Sequence, residues 1–574
     1  MSSCSGRRSG TIDSGTGEIV TIDRLDMASG CGVSKVPDLS SGVRQLRRVD
    51  VPNSVHGDTL MLRPMPSLLP RGDKRKKTKN WRKRRKRGKS DRWFYGHIDH
   101  ILEPVSPHRV SPRCRLSEHC GGCTFQHVAY KTQLMAKEQH LRQLLIQAAE
   151  KYDAAQWLLP PALDIRPIIG CDDIWNYRNK MEFTFSTREW RIKDSPVVAD
   201  VGPQAANQSR GAVGLHPSRK TNSTAARWHN KIVRVEKCYL QPDICNDVVN
   251  LVWESIGRLG IPLYDQESHC GYLKHLILRT SQNNYDEIDG KRELFVDFRT
   301  GVGNDHDRNN LEKLSKELVE HFASSSRDAY QLVGVATSVD AEALRHEVRR
   351  KQEEDEDNTS SLVCAHDIDN GSPRILYGRS YYFETIHDLE FRVSYSSFFQ
   401  PNPRQSERLF YEAAKLISLD TSQVLFDLFC GSGVVGLVLA AQGRAKALVG
   451  IELHEGAVED AKYNARKNGM DDIASFLAMD LTRKDIGEKL SGLPEPDVVV
   501  LDPPRAGLNK RLIQIISELA PKEVCYISCN PETLIRDLAS FSAEGYYPHA
   551  LQPVDMLPHT NHLECICTLH KKSS

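Results

Sequence analysis

Two short apolar runs near the C-terminal end of the 574-residue chain stop at side chains able to do chemistry. One is Val524-Cys-Tyr-Ile-Ser-Cys529-Asn-Pro, and the other is Val498-Val-Val-Leu-Asp502-Pro-Pro-Arg505. Runs of this kind read as buried parallel strands, and reactive groups of open α/β sheets collect at carboxyl strand ends. The paired prolines fix the backbone just past Asp502. A random cysteine is a small buried hydrophobe; one at a strand end beside Asp502 reads as a nucleophile. A thiolate that adds to carbon 6 of a pyrimidine makes carbon 5 enolate-like, which is covalent activation of a carbon otherwise slow to attack. A free thiol has a pKa near ~8.5, so such a site must favour the thiolate. The proton left on carbon 5 then needs a base, for which Asp555-Met-Leu-Pro-His-Thr-Asn-His-Leu-Glu564 offers His559, His562 and Glu564.

The electrophile must come from a bound donor. Val424-Leu-Phe-Asp-Leu-Phe-Cys-Gly-Ser-Gly-Val-Val-Gly436 reads as a strand entering a Gly-rich turn that opens a helix, where glycine lets the backbone approach a ligand closely. The next strand ends at Glu452, the spacing of an acid that accepts two ribose hydroxyls. A third would end at Asp480, placed for an adenine amino group. A dinucleotide enzyme shares the turn, but Asp-Pro-Pro and the strand-end cysteine that follow favour methyl transfer. An RNA cytosine-5 methyltransferase would use the same thiolate logic, usually with a cysteine after a proline where Arg505 follows Asp-Pro-Pro. A noncatalytic RNA-folding protein with a vestigial pocket is the other alternative.

These groups need a scaffold. From about 396 to the end, apolar strands alternate with helices, the pattern of a doubly wound, Rossmann-like α/β domain over 396–574. Residues 166–395 read as a central α+β domain, with strands at Met181–Ser186, Leu294–Arg299, Gln331–Ala336 and Phe391–Tyr395. Lys193–Arg227 and Glu347–Ser361 are polar enough for surface insertions. Residues 114–165 hold a cysteine cluster and a helix, 71–113 a basic run followed by what reads as a degenerate small β-barrel, and 1–70 a Ser/Gly-rich disordered stretch or targeting peptide.

The formal net charge of +2 conceals an asymmetry: Arg71–Arg92 carries 14 Lys/Arg against 2 Asp/Glu, so the rest of the chain is acidic. Such a run, with Trp81 inside it and Trp93, Phe94 and Tyr95 after it, suits RNA phosphates and equally suits a nuclear address or a solvated tail. No run approaches the ~18 apolar residues of a membrane span. The chain therefore reads as intracellular, with no membrane partner. Fifteen cysteines in that setting are thiols, ligands or catalysts rather than a disulfide framework. Cys114-x5-Cys120-Gly-Gly-Cys123 has ligand spacing, and zinc completed by His119 or His127 competes with an iron–sulfur cluster.

Ser397-Phe-Phe-Gln400-Pro-Asn402, Asp502-Pro-Pro-Arg505, Ser528-Cys529-Asn-Pro531 and Pro558-His-Thr-Asn-His-Leu-Glu564 together closely resemble the RNA 5-methyluridine (uracil-C5) methyltransferase family. The resemblance runs from about Trp93 to Leu569. It implies an S-adenosylmethionine-dependent enzyme in which Cys529 is the nucleophile, Glu564 accepts the proton, and Gln400, Phe429, Glu452 and Asp502, joined by Asp480, line the cofactor site. The position after Gly433, often Asn in that family, is Val434. Cys-Gly-Gly-Cys-x-x-Gln-His resembles the cluster-bearing branch, implying a [4Fe-4S] cluster on Cys114, Cys120, Cys123 and Cys238, with Cys245 in reserve for Cys238. Asn176-Tyr-Arg178-Asn-Lys180 and Gly271–Arg279 look like RNA-facing segments of the family. The implied partner is tRNA or large-subunit ribosomal RNA, with tRNA preferred, bound by a monomer that extrudes one loop uridine. Cytoplasm, nucleus, plastid and mitochondrion all remain open as the compartment.

Overall fold

The computed structural model describes residues 18–27, 31–37, 46–51, 53–63, 94–95, 97–102, 105–190, 211–218, 230–282, 291–324, 329–354 and 373–572. The basic run at 71–92 and most of the expected insertion at 193–227 lie outside the described residues. The chain divides into two compact units, one of Met1–Glu118, Cys123–Lys137 and Arg219–Ser223, the other of His119–Gly122, Glu138–Ser218 and Thr224–Ser574. Among the described residues no helix is long and apolar enough to cross a membrane.

The apolar runs of the C-terminal region become strands: β1 (Val424–Leu428), β2 (Ala447–Glu452), β3 (Ala474–Ala478), β4 (Val498–Leu501), β5 (Glu523–Ser528), β6 (Tyr546–Val554) and β7 (Glu564–Lys571). They form a sheet of order β3-β2-β1-β4-β5-β7-β6, with the short strand Asp164–Ile165 at the β6 edge. The first five are mutually parallel, and β7 runs antiparallel to both its neighbours. Between them lie α1 (Pro403–Leu416), which precedes β1, then α2 (Val434–Gly443), α3 (Glu455–Lys467), α4 (Ile486–Ser491), α5 (Lys510–Glu518) and α6 (Pro531–Ala543).

Both faces of the sheet are covered, so its strands read as continuous apolar runs rather than alternating ones. Leu425, Leu448 and Val500 pack beneath α1, α2 and α3. Phe426, Leu428, Val449 and Leu501 pack against α5 and α6, with Leu141 and Leu145 of the helix Tyr130–Tyr152 in the same core. Asn402 and Asn530 cap α1 and α6, each followed by a proline in the first turn, where its missing N–H costs nothing. The strand order reverses between β1 and β4, which leaves a crevice at their carboxyl ends.

The central region forms a seven-stranded sheet in the order Val233–Arg234, Ala212–Leu215, Lys180–Ser186, Leu273–Thr280, Arg292–Thr300, Tyr330–Val339, Arg374–Gly378. All four strands expected there are present, each extended by a residue or more at its start. The first eight residues of the expected insertion at Glu347–Ser361 instead finish the helix Ala341–Glu354. A hairpin, Tyr381–Ile386 with Leu389–Ser394, leads into the C-terminal sheet. It is fastened to α3: the buried carboxylate of Asp460 accepts from Arg392 Nε at 2.8 Å, Ser394 Oγ at 2.9 Å and Ser397 Oγ at 2.9 Å. Asn464 and Asn468 bond the hairpin backbone at Arg392 and Glu390.

The stretch expected to be disordered carries strands at Glu18–Thr21, Arg24–Asp26, Cys31–Pro37, Leu46–Val51 and Thr59–Arg63. With His97–Leu102 and Phe94–Tyr95 they make a three-stranded and a four-stranded sheet. Consecutive strands pair at Arg24–Asp26 with Cys31–Pro37, whereas Leu60 stands opposite Ile101, so neither of the latter two strands shows a complete local pattern.

Candidate active site

A cavity of about 590 Å3 opens at the crevice between β1 and β4. Gln400, Phe429, Glu452, Asp480, Asp502, Cys529 and Glu564 all line it, so the residues expected for cofactor and catalysis meet in one place. Their positions follow from the sheet. Glu452 ends β2, Cys529 directly follows β5, Asp502 directly follows β4, and Glu564 begins β7, which runs the opposite way and so presents its first residue at the same edge.

The donor side is built from turn geometry. Phe429 has φ of +71°, and its N–H and that of Cys430 donate to Ile451 O at 2.9 and 3.0 Å, which ties the turn to β2. Glu452 accepts from the N–H groups of Gly431, Leu453 and His454 at 3.1, 2.8 and 3.0 Å. A carboxylate has about four lone-pair sites, so it retains acceptor capacity for hydroxyls. Gly433 has φ of +80°, and a Cβ there would lie 3.0 Å from Phe476 and 3.1 Å from Ala461. Asp480 stands at the rim, its Oδ1 accepting from Thr482 N at 2.8 Å and Thr482 Oγ1 at 2.6 Å, bonds that hold its pKa down. Phe429, Ile451, Leu453 and Met479 supply apolar wall between these carboxylates, a lining that suits a nucleoside.

On the reacting side, Gln400 Nε2 donates to Asp502 Oδ2 at 3.4 Å. Burial pushes the Asp502 carboxyl up to about 7, against the opposing bond from Gln400. Burial, then Asp502, pushes Glu564 up to about 8, and the Arg505 guanidinium opposes this. The Cys529 thiol rises to about 11, by burial first and then by the Glu564 and Asp502 charges, with Arg505 again opposing. The thiolate stabilisation expected from the sequence therefore comes from Arg505 and then a backbone N–H at Cys529, and does not outweigh burial. Arg505 is held from two sides. Its Nη2 lies 3.1 Å from His562 Nδ1, and its carbonyl accepts from Asn530 Nδ2 at 3.2 Å and Thr533 Oγ1 at 3.3 Å. Of the other bases considered, His559 does not line the cavity; its ring stacks on Trp175 at 4.1 Å.

Sequence reasoning missed Asp427. It is fully buried in β1, accepts from Gly436 N at 2.7 Å and so pins the start of α2 behind the turn. Burial lifts it to about 7, with Asp502 and Glu452 adding to the rise. The signal was present as one carboxylate inside an apolar five-residue strand.

The expected metal ligands are not brought together. Among the described residues no group of three or more His, Cys, Asp and Glu is arranged to hold a metal ion. Cys114 and Cys123 belong to the first unit and Cys120 and Cys238 to the second. Within the first, Gln126 links the neighbours of the motif, accepting from Cys114 N at 3.1 Å and donating to Cys123 Sγ at 3.1 Å.

Comparison with known proteins places these features. A family profile described as tRNA (uracil-5-)-methyltransferase matches residues 374–572. An uncharacterized RNA methyltransferase of Listeria innocua is 32% identical over 484 residues, 84% of this chain and 88% of the relative. One of Caldanaerobacter subterraneus is 30% identical over 488 residues, covering 85% and 90%. Among solved structures, a Pyrococcus abyssi tRNA (uracil-54, C5)-methyltransferase in complex with S-adenosyl-L-homocysteine aligns with a TM-score of 0.59 and 21% identity. That alignment covers 96% of this chain and 100% of the other, a likeness of fold.

Proposed function

Because the chain belongs to the tRNA and RNA uracil-5-methyltransferase family and is an S-adenosylmethionine-dependent RNA methyltransferase, we propose that it methylates carbon 5 of one loop uridine in tRNA through a Cys529 adduct. The observation that carries this reading is the shared cavity, in which Cys529, Glu564 and Arg505 face the same space as Phe429 and Glu452.

S-adenosylmethionine supplies the methyl group. Glu452 and Asp480 hold its polar edges, and Phe429 and Ile451 exclude water from its apolar side. Cys529 gives up its proton to solvent and its sulfur bonds carbon 6 of the uracil, shifting electron density to carbon 5. Arg505 stabilises the negative charge carried first by sulfur and then by the enolate. Once carbon 5 has taken the methyl, its proton passes to the Glu564 carboxylate, the carbon 6–sulfur bond breaks and the ring double bond returns. A carboxylate raised to about 8 is a stronger base than an ordinary one, which suits this step. Extruding a paired base costs a few kcal/mol, hence the preference for a loop uridine.

Glu564→Gln tests the sequence of events. It should form the adduct and transfer the methyl but fail to release, giving a protein–RNA species stable to denaturing electrophoresis that Cys529→Ala never forms. No such species with Glu564→Gln, together with product still made by Cys529→Ala, would sink the covalent route. The cysteine spacing supports a separate proposal, a [4Fe-4S] cluster on Cys114, Cys120, Cys123 and Cys238, on which no step above depends. Iron and acid-labile sulfide below one atom per chain after anaerobic purification would exclude it.

A further inference from the structure

Glu564 is delivered to the cavity by a loop, residues 555–563, that joins β6 to β7. Connecting loops ordinarily lie on the surface, because a buried one leaves backbone groups without water. This one is buried through most of its length: Asp555, Met556, His559, Thr560 and Leu563 are each no more than 5% exposed. Its backbone is met instead by a segment remote in sequence, residues 169–179. Asp555 N donates to Ile169 O at 2.8 Å, Cys171 Sγ donates to Asp555 O at 3.1 Å, and the Tyr177 hydroxyl donates to Pro558 O at 3.0 Å. Met556 O accepts from Asn402 Nδ2 at 3.0 Å.

His559 is the strained point of the loop. Its φ of +65° is a left-handed conformation that an L side chain keeps only where its surroundings impose it. Trp175 imposes it: the two rings stack with centroids 4.1 Å apart and 26° between their planes. Trp175 is set in turn by an edge-on contact with Tyr239, at 6.3 Å and 75°. The backbone beside it is tied to the same strip of chain, Asn176 N donating to Tyr239 O at 2.9 Å and Arg178 N to Leu240 O at 2.8 Å. The start of the segment is fastened to α1, where Gln405 Nε2 and Arg408 Nη1 both donate to Gly170 O at 3.2 Å.

Glu564 stands five residues beyond His559, facing Asp502, Arg505 and Cys529. A displacement of the loop at His559 therefore reaches the carboxyl that takes the proton. Trp175 and Tyr177 do not line the cavity, so they act on it only through the loop.

We propose that Trp175 and Tyr177 are positioning residues for proton abstraction, holding the loop so that Glu564 stands at the height of carbon 5 in the cavity. The inference rests on the reading of Glu564 as the base and adds to it what places the base. Loss of the stack should leave cofactor and RNA binding intact and slow the departure of the methylated product from Cys529.

The test is single-turnover release of methylated RNA from the adduct, resolved by denaturing electrophoresis, with full-length Trp175→Leu, Trp175→Phe and Tyr177→Phe proteins. Hydrogen exchange of the loop amides and affinities for RNA and S-adenosylmethionine are measured on the same proteins. Trp175→Leu should slow release about tenfold, and Tyr177→Phe, which removes only the bond to Pro558, about threefold, because small displacements of a catalytic group are costly. Trp175→Phe keeps a ring against His559 and should recover most of the rate. Loop amides should exchange faster in Trp175→Leu, while amides of β1 and β4 exchange as in wild type. Loosening also admits water to Glu564 and so weakens burial, the main cause of its raised pKa, which should move the release profile to lower pH. Slower release with an unmoved profile, or loop exchange equal to wild type in Trp175→Leu, would overturn the proposal. So would weaker RNA binding with an unchanged release rate, which would make Trp175 an RNA contact. If wild-type protein forms no adduct while Trp175→Leu still loosens the loop, the reading of Glu564 as the base fails and the anchoring of the loop stands.

Discussion

A thiol pushed up to about 11 and a carboxyl pushed up to about 8 share one cavity, so at pH 7 both are mostly protonated. The chemistry needs each ionised in turn. Raised pKa values lose their protons only as pH climbs, so single-turnover release of the methylated RNA from the adduct, the step that uses the Glu564 carboxylate, should rise from about pH 6.5 to about pH 8.5. A flat profile over that range would contradict the assignment of Glu564 as base. Arg505 is the cation that opposes both rises, so Arg505→Gln should slow transfer about a hundredfold and displace the profile to higher pH. Retention of the wild-type profile would mean that its charge does not reach the reacting atoms. Cys529, Asp502 and Glu452 were legible in the sequence because each ends an apolar run, and strand ends are where such sheets present chemistry. The environment of Cys529 was not legible, since it depends on Glu564 arriving from a strand that returns antiparallel. Nor was Asp427, whose burial follows from layers above and below β1.

Among the elements, α3 carries a burden invisible in its own sequence. Asp460 fixes the hairpin and the segment leading to Gln400, through partners 63 to 68 residues away. Asp460→Ala leaves Arg392 without its carboxylate and should cost about 3 kcal/mol in denaturant unfolding, with weaker cofactor binding. A loss within experimental error of zero would show that the hairpin holds its place without it. The turn before α2 makes a second test. Gly433→Ala combines a left-handed φ with contacts on Phe476 and Ala461, and should cost about 1–2 kcal/mol and lower S-adenosylmethionine affinity. Wild-type affinity would place the cofactor away from this turn. The five parallel strands were readable as short apolar runs, but the strand Asp164–Ile165 at the β6 edge was not, because two residues paired with a distant segment leave no local pattern.

For the whole molecule, charge and cysteine spacing were the readable features. The segment 71–92 sets twelve net positive charges against an otherwise acidic chain. Deleting it should reduce the salt dependence of RNA binding while sparing cofactor affinity, since its contribution is to phosphates; an unchanged slope would leave it an address or a tail. The N-terminal strands escaped notice in a Ser/Gly-rich stretch; Thr59–Arg63 pairs with the distant His97–Leu102, and the locally paired Arg24–Asp26 and Cys31–Pro37 are short. The cysteines stand otherwise: close spacing suggested one ligand set, and among the described residues no group of three or more His, Cys, Asp and Glu is arranged to hold a metal ion. The central claim is methyl transfer to carbon 5 of a uridine in tRNA. Its most direct test is nucleoside mass spectrometry of tRNA and large-subunit ribosomal RNA transcripts after incubation with S-adenosylmethionine and either wild-type or Cys529→Ala protein. The account predicts 5-methyluridine in tRNA with wild type alone; 5-methylcytidine, or 5-methyluridine undiminished with Cys529→Ala, would contradict it.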